Sequence, residues 1–419
     1  MTLWEYLQSK MIAYGDRIAF ANSGFTYKDL LELSTETSNE RRLVLCEGET
    51  REFEALEILR CIAKGNIAVP ITKDYGEKNY EYICAVVKKD IPLEAKQDLA
   101  FLMFTSGTTG NPKGVMLTDE NIISNLQYIE TYFDLTGMQT ICVARPLVHI
   151  AVLTGEILYA LCCGLTIYFY EEAFMPQRLL TYFVNNQIDV FCATPTLYQI
   201  LALASKDKLF PIKIGVLSGE MLSSYTIEKV TSAFPKTEFY NAYGLTEHSP
   251  RVSALLPSDF TKRPGSVGKP IGDVKLKIVN GELWVKSASV MKGYYLDKIK
   301  TQGKLNGGWL RTGDLAHFDE KGYLYIDGRK DGMLIKAGIN VYPEEIESIV
   351  KEISGVADCL VFGECSNKGT IICMKYVGSL EIKELRKELV GKINPNIFPS
   401  KIEKVDDFAR TVSGKKQRK

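Results

Sequence analysis

Short apolar runs alternate with segments of helical periodicity through the first three quarters of the chain. RRLVLCEGE and NIAVPIT indicate buried strands, and FEALEILRCIAKG between them predicts a helix that stops at Gly65. Further strand-like runs are QTICVARP, LTIYFYE, DVFCATP and KIGVLSG, with the helical segments MPQRLLTYFVNNQ and PTLYQILALASK among them. The stretch 150–170 is expected to be a buried helix followed by a strand. This alternation predicts βαβ units and a largely parallel sheet covered by helices.

The pattern changes after Gly265, where Gly and Asp turns separate short runs. VKLKIVNGELWVKS and GYLYIDGRKDGMLIKAGINVYP predict hairpins, and the chain from PEEIESIVKEIS onward predicts a small α+β unit. We therefore expect an α/β protein with a boundary near Asp331. Residues 1–330 would form a large domain of helix-covered, mostly parallel sheets plus a β-rich subdomain. Residues 331–419 would form the small α+β domain.

Composition narrows the functional class. The 419 residues are 46% hydrophobic and 24% charged, a globular balance. Lys+Arg and Asp+Glu are both 51, which argues against a nucleic-acid partner. The ten cysteines form no CxxC pair, so we expect reduced thiols and a cytoplasmic location, without a structural zinc site. No stretch reaches the roughly 18 apolar residues that a membrane span needs.

The clearest chemical signal lies in FLMFTSGTTGNPKGVMLT, residues 101–118. An apolar strand leads into glycines and hydroxyl residues, whose N–H and O–H groups are suited to the oxygens of a phosphate chain, and a lysine adds positive charge. The segment is neither a Walker A loop nor a GxGxxG fingerprint. The phosphate-binding residues we predict are Thr105, Ser106, Gly107, Thr108, Thr109, Gly110 and Lys113.

At this segment the chain resembles the adenylate-forming superfamily, which includes acyl-CoA synthetases, peptide-synthetase adenylation domains and luciferases. TSGTTGNPKG matches the phosphate-loop signature of that superfamily. The other signatures occur in the same order along the whole chain, as FTYKDL, LRCIAKGNIAVPIT, RPLVHIAVLTGE, NAYGLTEHS, GWLRTGDLAHFDEKGYLYIDGRKDGMLIKAGINVYPEEIE and ARTVSGKKQRK.

The resemblance implies a reaction in two halves. A carboxylate attacks the α-phosphorus of ATP and releases pyrophosphate, and a thiol then takes the acyl group from the acyl-adenylate. The implied cofactors are ATP and Mg2+, and the thiol is that of CoA or of carrier-protein phosphopantetheine. The implied partners are a small carboxylic acid and, as an open alternative, an acyl or aryl carrier protein.

The resemblance also implies individual roles. Thr246 would bond the α-phosphate, Glu247 would hold Mg2+, and Asp314 would accept the ribose hydroxyls with support from Arg329. Lys415 would bridge the carboxylate and the α-phosphate. The adenine slot would be lined by Ser218, Gly219, Glu220, Asn241, Ala242, Tyr243 and Gly244.

The small domain is expected to be mobile. Asp331 occupies the hinge position of the family. The domain would first bring Lys415 to the α-phosphate and would then rotate, so that the hairpin with Gly338 lines a thiol tunnel.

The acid would be bound by His149, which gates the pocket and is counted among the catalytic residues, and by Ile150, Gly244, His248 and Ser249. PLVHIAVLTGE has no aspartate to pair with an ammonium group, and we expect Glu156 to be helical and remote. We therefore favour an aryl acid, or a fatty acid, over an amino acid.

Only 104 residues precede Thr105, fewer than relatives usually have, so a shortened first subdomain is expected. This leaves CoA and a carrier protein nearly level as thiol acceptor. A catalytically silent relative that acts as a binding protein and a luciferase-like oxygenase remain as competing functions, although every charged site position is present.

Overall fold

A computed structural model of the chain describes residues 1–33, 41–73, 77–89, 96–105, 112–205, 209–330, 332, 334–336, 339–341, 343–366, 369–409 and 416. Its strands are Ile18–Phe20, Phe25–Thr26, Leu43–Cys46, Ile67–Pro70, Leu99–Thr105, Lys113–Thr118, Thr140–Val143, Thr166–Phe169, Val190–Ala193, Ile214–Ser218, Glu238–Gly244, Arg251–Leu255, Ser266–Pro270, Lys275–Val279, Glu282–Lys286, Gly293–Tyr294, Leu305–Asn306, Trp309–Phe318, Leu324–Arg329, Leu334–Lys336, Ile339–Val341, Val356–Ser366, Gly369–Gly378 and Lys401–Lys404.

The helices are Leu3–Met11, Tyr27–Leu31, Arg51–Ala63, Glu77–Val87, Asp119–Glu130, Ile150–Val152, Tyr159–Cys163, Pro176–Asn185, Pro195–Ala204, Ser224–Ala233, Pro257–Phe260, Lys298–Lys304, Pro343–Lys351 and Ile382–Leu389. Helical turns of other pitch lie at Ile12–Tyr14, Leu153–Leu158, Thr246–His248 and Pro395–Ile397. Among the described residues there is no helix with the length and apolarity of a membrane span.

The largest sheet contains the parallel core that the apolar pattern predicts. Within the described chain it has fourteen strands. Its parallel-paired neighbours run in the order Ile18–Phe20, Thr166–Phe169, Thr140–Val143, Val190–Ala193, Ile214–Ser218 and Glu238–Gly244. The strands Val190–Ala193 and Ile214–Ser218 are buried at every position, as expected for strands covered on both faces. Beyond Glu238–Gly244 the sheet continues in antiparallel strands, which include the predicted hairpin Lys275–Val279 with Glu282–Lys286.

A second sheet positions the phosphate-loop segment. Its order is Gly293–Tyr294, Lys113–Thr118, Leu99–Thr105, Ile67–Pro70 and Leu43–Cys46. The strands before and after the loop are antiparallel neighbours in which Thr105 lies opposite Lys113. The two ends of the loop are therefore held together, whereas Ser106 to Gly110 lie outside the described residues.

The predicted buried helix after His149 contains an irregularity that the sequence pattern does not reveal. The segment Leu153–Leu158 is a π-helical turn between the short helices Ile150–Val152 and Tyr159–Cys163, and all six of its residues are buried. Gly164 ends the segment at φ +75°, and the strand Thr166–Phe169 follows. Turns of this kind are frequent at functional sites.

The C-terminal part is the α+β unit expected from the sequence. Its three strands form the sheet Val356–Ser366, Gly369–Gly378 and Lys401–Lys404, against which Pro343–Lys351 packs. The unit has an apolar core of its own, which includes Val350, Val361 and Leu385. The boundary between residues 330 and 331 stays a prediction, as does the hinge, because Asp331 lies outside the described residues.

Candidate active site

The carboxyl ends of the parallel strands converge on one edge of the large sheet. Ala193 lies opposite Leu217, and Ser218 lies opposite Ala242, so these strands end in register. Arg145 follows the end of Thr140–Val143 by two residues. In open α/β sheets this edge is where ligands bind. The predicted adenine-slot residues therefore share one crevice with the chain that leads to His149.

Tyr243, Asp314 and Arg329 form one hydrogen-bonded group at this edge. The Tyr243 hydroxyl donates to Asp314 Oδ2, and Arg329 Nη1 donates to Asp314 Oδ1 at 3.1 Å. Asp314 lies directly opposite Arg329 in the antiparallel pair, and it is 6% exposed. Burial, followed by the charge of Asp314, raises the pKa of Tyr243 well above its ordinary value. The structure thus brings three residues of separate motifs together; their nucleotide contacts remain predictions.

Glu247 and Lys113 meet through Tyr294, a residue that the sequence analysis missed. The Tyr294 hydroxyl donates to Glu247 Oε1 at 2.7 Å, and the Lys113 ammonium lies 5.9 Å from the centroid of the Tyr294 ring. Tyr294 reaches this position because it lies opposite Val115 in the second sheet. Burial and Glu247 raise the pKa of Tyr294, so its hydroxyl stays protonated as a donor. No motif that we recognised includes Tyr294, which is why sequence reasoning did not find it.

Lys304 adds a cation on the same side of the site. Its ammonium donates to the carbonyl of Thr312 at 3.0 Å, two residues before Asp314. Burial lowers the pKa of Lys304, while the charges of Glu247 and Asp314 oppose that shift. Its place at the end of the helix Lys298–Lys304 carries no motif signal, and only the fold brings it near these carboxylates.

Ser218, Gly219 and Glu220 connect the strand Ile214–Ser218 to the neighbouring helix. The Glu220 carboxylate accepts from the backbone N–H of Thr196 at 3.1 Å and from its hydroxyl at 2.6 Å. Glu220 thereby satisfies an N–H in the first turn of Pro195–Ala204. Ser218 is buried with its Oγ 3.5 Å from Arg145 Nη1, and Gly219 has φ +90°.

Asn241, Ala242 and Gly244 shape the strand that leads into the signature turn. Asn241 is buried and donates to the carbonyl of Ser266 at 2.8 Å, and Ala242 is also buried. A Cβ at Gly244 would lie 2.2 Å from the carbonyl oxygen of Pro250, so only glycine fits there. These observations explain the residue types structurally, and the contacts with adenine stay predictions.

The turn Thr246–His248 is tied down on both sides. The backbone N–H of Met291 donates to the carbonyl of Glu247 at 2.9 Å. His248 is fully buried, with Nδ1 2.9 Å from the carbonyl of Arg251 and Nε2 2.7 Å from the Ser287 hydroxyl. Burial lowers the pKa of His248 to about 4, and the neutral ring donates through Nδ1 to the carbonyl and accepts at Nε2.

Ser249 is fully buried as well, and its hydroxyl donates to the carbonyl of Ser289 at 3.0 Å. The polar atoms of His248 and Ser249 therefore hold the turn that carries Thr246 and Glu247. The predicted contact of these two side chains with the acid stays a prediction.

The acid side of the crevice corrects one expectation. Glu156 lies in the π-helical turn and not in a regular α-helix. It is not remote from the strand ends, because its Oε1 accepts from Arg145 Nε at 3.1 Å and also from Arg145 Nη2. Burial raises the pKa of Glu156, while Arg145 and Arg251 oppose the shift. His149 begins the helical segment next to the buried Ile150. Arg145, Glu156 and Arg251 thus lie together beside the predicted acid pocket, and the sequence analysis gave none of them a role there.

The small domain holds the tail near its end. Lys416 Nζ donates to Asp358 Oδ1 and to the carbonyl of Cys359, both at 2.5 Å, and Lys351 lies 3.3 Å from the same carboxylate. The ammonium of Lys416 is therefore engaged within its own domain. Lys415, the predicted catalytic lysine, lies outside the described residues.

Comparison with known proteins agrees with this geometry. The model of the AMP-binding enzyme family matches residues 43–295, and that of the AMP-binding enzyme C-terminal domain matches residues 345–415. YngI of Bacillus subtilis, an inferred acyl-CoA synthetase, is 33% identical over 346 residues, which are 77% of this chain and 63% of YngI. The acyl-CoA ligase sidI of Aspergillus fumigatus is 31% identical over 65% of this chain and 51% of its own length.

Solved structures share the fold. The anthranilate CoA ligase AuaEII in complex with anthranoyl-AMP superposes with a TM-score of 0.87 at 19% identity, over 100% of this chain and 96% of AuaEII. The o-succinylbenzoate coenzyme A synthetase MenE from Bacillus subtilis, in complex with ATP and a magnesium ion, superposes with a TM-score of 0.83 at 23% identity. The match covers 100% of this chain and 98% of MenE.

The chain spans between half and two thirds of the length of YngI and sidI. The family model nevertheless covers more than half of this chain, and its C-terminal companion matches in the expected order. The resemblance stated from the motifs is therefore confirmed: the chain belongs to the AMP-binding enzyme family.

Proposed function

We propose that the chain activates a carboxylic acid with ATP, releases pyrophosphate to form an acyl-adenylate, and passes the acyl group to a thiol. Membership of the AMP-binding enzyme family supports this activity. The observation that carries it is that two groups from different sheets lie near each other. One is Asp314, held by Tyr243 and Arg329, and the other is Glu247 with Lys113; Lys304 interacts electrostatically with both carboxylates. A nucleoside triphosphate needs this set of groups.

The residues present fit Mg2+ as the family uses it. Tyr294 donates to one oxygen of Glu247, and the other oxygen would be available to a cation. Among the described residues no cluster of three His, Cys, Asp or Glu side chains is suited to a metal. This suits Mg2+, which is bound through one or two carboxylates together with water and phosphate oxygens. When bound, the ion neutralises phosphate charge.

The other residues bind and orient the reactants. Asp314 and Arg329 would fix the ribose, and Lys113 and Lys304 would offset phosphate charge, so that the acid can approach the α-phosphorus in line. Lys415 would add the last cation when the small domain turns about Asp331. Thr246 and His149 would face the reacting groups at the α-phosphate and at the entrance of the acid pocket.

For the acceptor we favour CoA over a carrier protein, because YngI and sidI carry names of acyl-CoA enzymes. For the acid we favour an aryl acid over a plain fatty acid, and the anthranilate ligase with the same fold supports that choice. A cytoplasmic location remains a prediction.

The test is acid-dependent exchange of labelled pyrophosphate into ATP, run over aryl, fatty and amino acids. Exchange that requires an acid and Mg2+ is the expected result, and it should fall in the Asp314→Asn variant. A folded protein that exchanges with none of these acids, dicarboxylic acids included, would instead identify the catalytically silent alternative. Adding CoA or a phosphopantetheinylated carrier protein to the active mixture then separates the two acceptors.

A further inference from the structure

Three charged side chains lie together beside the predicted acid pocket, two of them buried and one partly buried. Glu156 and Arg251 are 0% and 2% exposed, and Arg145 forms an ion pair with Glu156. The Arg251 guanidinium lies against the π turn, since a Cβ on Gly155 would be 3.0 Å from its Nη2 and 3.2 Å from its Nε. Two cations and one anion therefore share one small, largely buried region.

The charges of this cluster do not balance. Glu156 Oε1 accepts both bonds from Arg145, whereas Glu156 Oε2 is buried with no hydrogen-bond partner among the described residues. The backbone of Arg251 is hydrogen-bonded to Asn125 and His248. Within the residues that the structure describes, its guanidinium forms no hydrogen bond or ion pair. Arg145 and Arg251 thus face a single carboxylate, that of Glu156, which leaves one positive charge in excess. A buried charge in excess is costly, and it calls for a partner supplied from outside the chain.

The location of Arg251 specifies that partner. Arg251 lies opposite Gly244 in the sheet, immediately after the turn Thr246–His248. Gly155 and Glu156 are in the π turn that follows His149 and Ile150. The unpaired guanidinium is thus enclosed by the segments that carry every predicted acid-binding residue. A guanidinium presents a planar fork of donors that matches a carboxylate or another oxyanion.

We infer that Arg251 is a specificity-determining residue which binds a second anionic group of the acid, remote from the carboxylate that reacts. The substrate class is therefore a dicarboxylate, or an acid with an equivalent distal oxyanion. Arg145 is neutralised by Glu156 and orients that carboxylate, whose free oxygen accepts a polar hydrogen of the substrate. This inference rests on the proposed function, since it names the acid for that same site.

The experiment compares matched acids in the pyrophosphate-exchange assay. The panel contains aliphatic dicarboxylates of increasing length and carboxyphenylalkanoates, each beside the monocarboxylate in which a methyl ester replaces the distal carboxylate. We expect the best diacid to exceed its ester at least tenfold in kcat/KM. Arg251→Met should remove that preference and raise activity with the ester, because it leaves the neutral Arg145–Glu156 pair; misfolding cannot produce such a gain.

Arg263→Met is the matched control, because Arg263 pairs with Asp319 and lies in none of the segments around the site. It should keep the preference for the diacid. Equal activity of the wild type with diacid and ester, or an equal loss of both in Arg251→Met, would overturn the inference while the proposed function stands.

A binding measurement separates the two failures. Calorimetric titration of the diacid panel into wild type and Arg251→Met, with AMP present, needs no turnover. Diacid binding that depends on Arg251 without exchange would refute the proposed function alone. Absence of both binding and exchange would refute both.

Discussion

Protonation of His248 in the unfolded chain should lower the stability of the folded protein in mild acid. The imidazole is fully buried, and its two nitrogens are bonded to the carbonyl of Arg251 and to Ser287. Its pKa falls from 6.5 to about 4 in the folded protein. The unfolded chain therefore binds a proton at a higher pH than the folded chain does, and stability is lost as the pH falls from about 6.5 towards 4.

The size of the effect follows from that shift. Between pH 7.5 and pH 5 the linkage relation gives a loss of about 2 kcal/mol in the free energy of unfolding from His248 alone. The variant His248→Gln has no titrating group at this position. It should be less stable than wild type at pH 7.5, because the buried bonds are disturbed, and the difference should shrink by about 2 kcal/mol at pH 5.

The assay is urea unfolding followed by tryptophan fluorescence. The three tryptophans are Trp4, Trp284 and Trp309, so the signal reports on the large domain alone. His317→Gln is the control, because it alters an exposed imidazole bonded to Asp327 and keeps His248. If the wild-type and His248→Gln stabilities change in parallel with pH, the buried neutral imidazole is refuted.

Three further predictions concern catalysis. Asp314→Asn should raise the KM for ATP about 10- to 100-fold with little change in kcat, because it weakens one charge-assisted bond of ground-state binding. In this variant 2′-deoxy-ATP should bind as well as ATP does. An unchanged KM would contradict the ribose assignment. Lys304→Met should raise the KM for ATP about threefold to tenfold at low salt, since a cation near the phosphates is lost; no response to ionic strength would argue against it. Lys415→Ala should abolish adenylation but allow a preformed acyl-adenylate to react with thiol, as measured in single turnovers; equal loss of both steps would exclude that role.

Local signals predicted the parallel core well. Val190–Ala193 and Ile214–Ser218 appear in the sequence as short apolar runs between helical segments, because strands covered on both faces need apolar residues at every position. The hairpin around Asn280 and Gly281 was equally visible from its turn residues. The π turn at Leu153–Leu158 was not, since its residues fit an ordinary buried helix.

Some residues of the candidate site could likewise be predicted from the sequence, and others could not. Asp314 and Glu247 lie in short contiguous motifs, so they can be recognised from the sequence. Tyr294 and Lys304 have no such context, and they reach Glu247 and the Asp314 strand only through sheet pairing and helix placement. Sequence reasoning also took Glu156 for remote, because the pairing with Arg145 depends on how a buried turn packs against a strand end.

By itself, then, the sequence determined the family, the order of the motifs and the chemistry they imply, because those properties reside in contiguous residues. The tertiary structure alone decided which charges face one another across the crevice. One example is the excess positive charge at Arg251, because Glu156 provides one carboxylate for two guanidiniums. It arises between segments almost a hundred residues apart, where only folding brings two guanidiniums and one carboxylate out of water together.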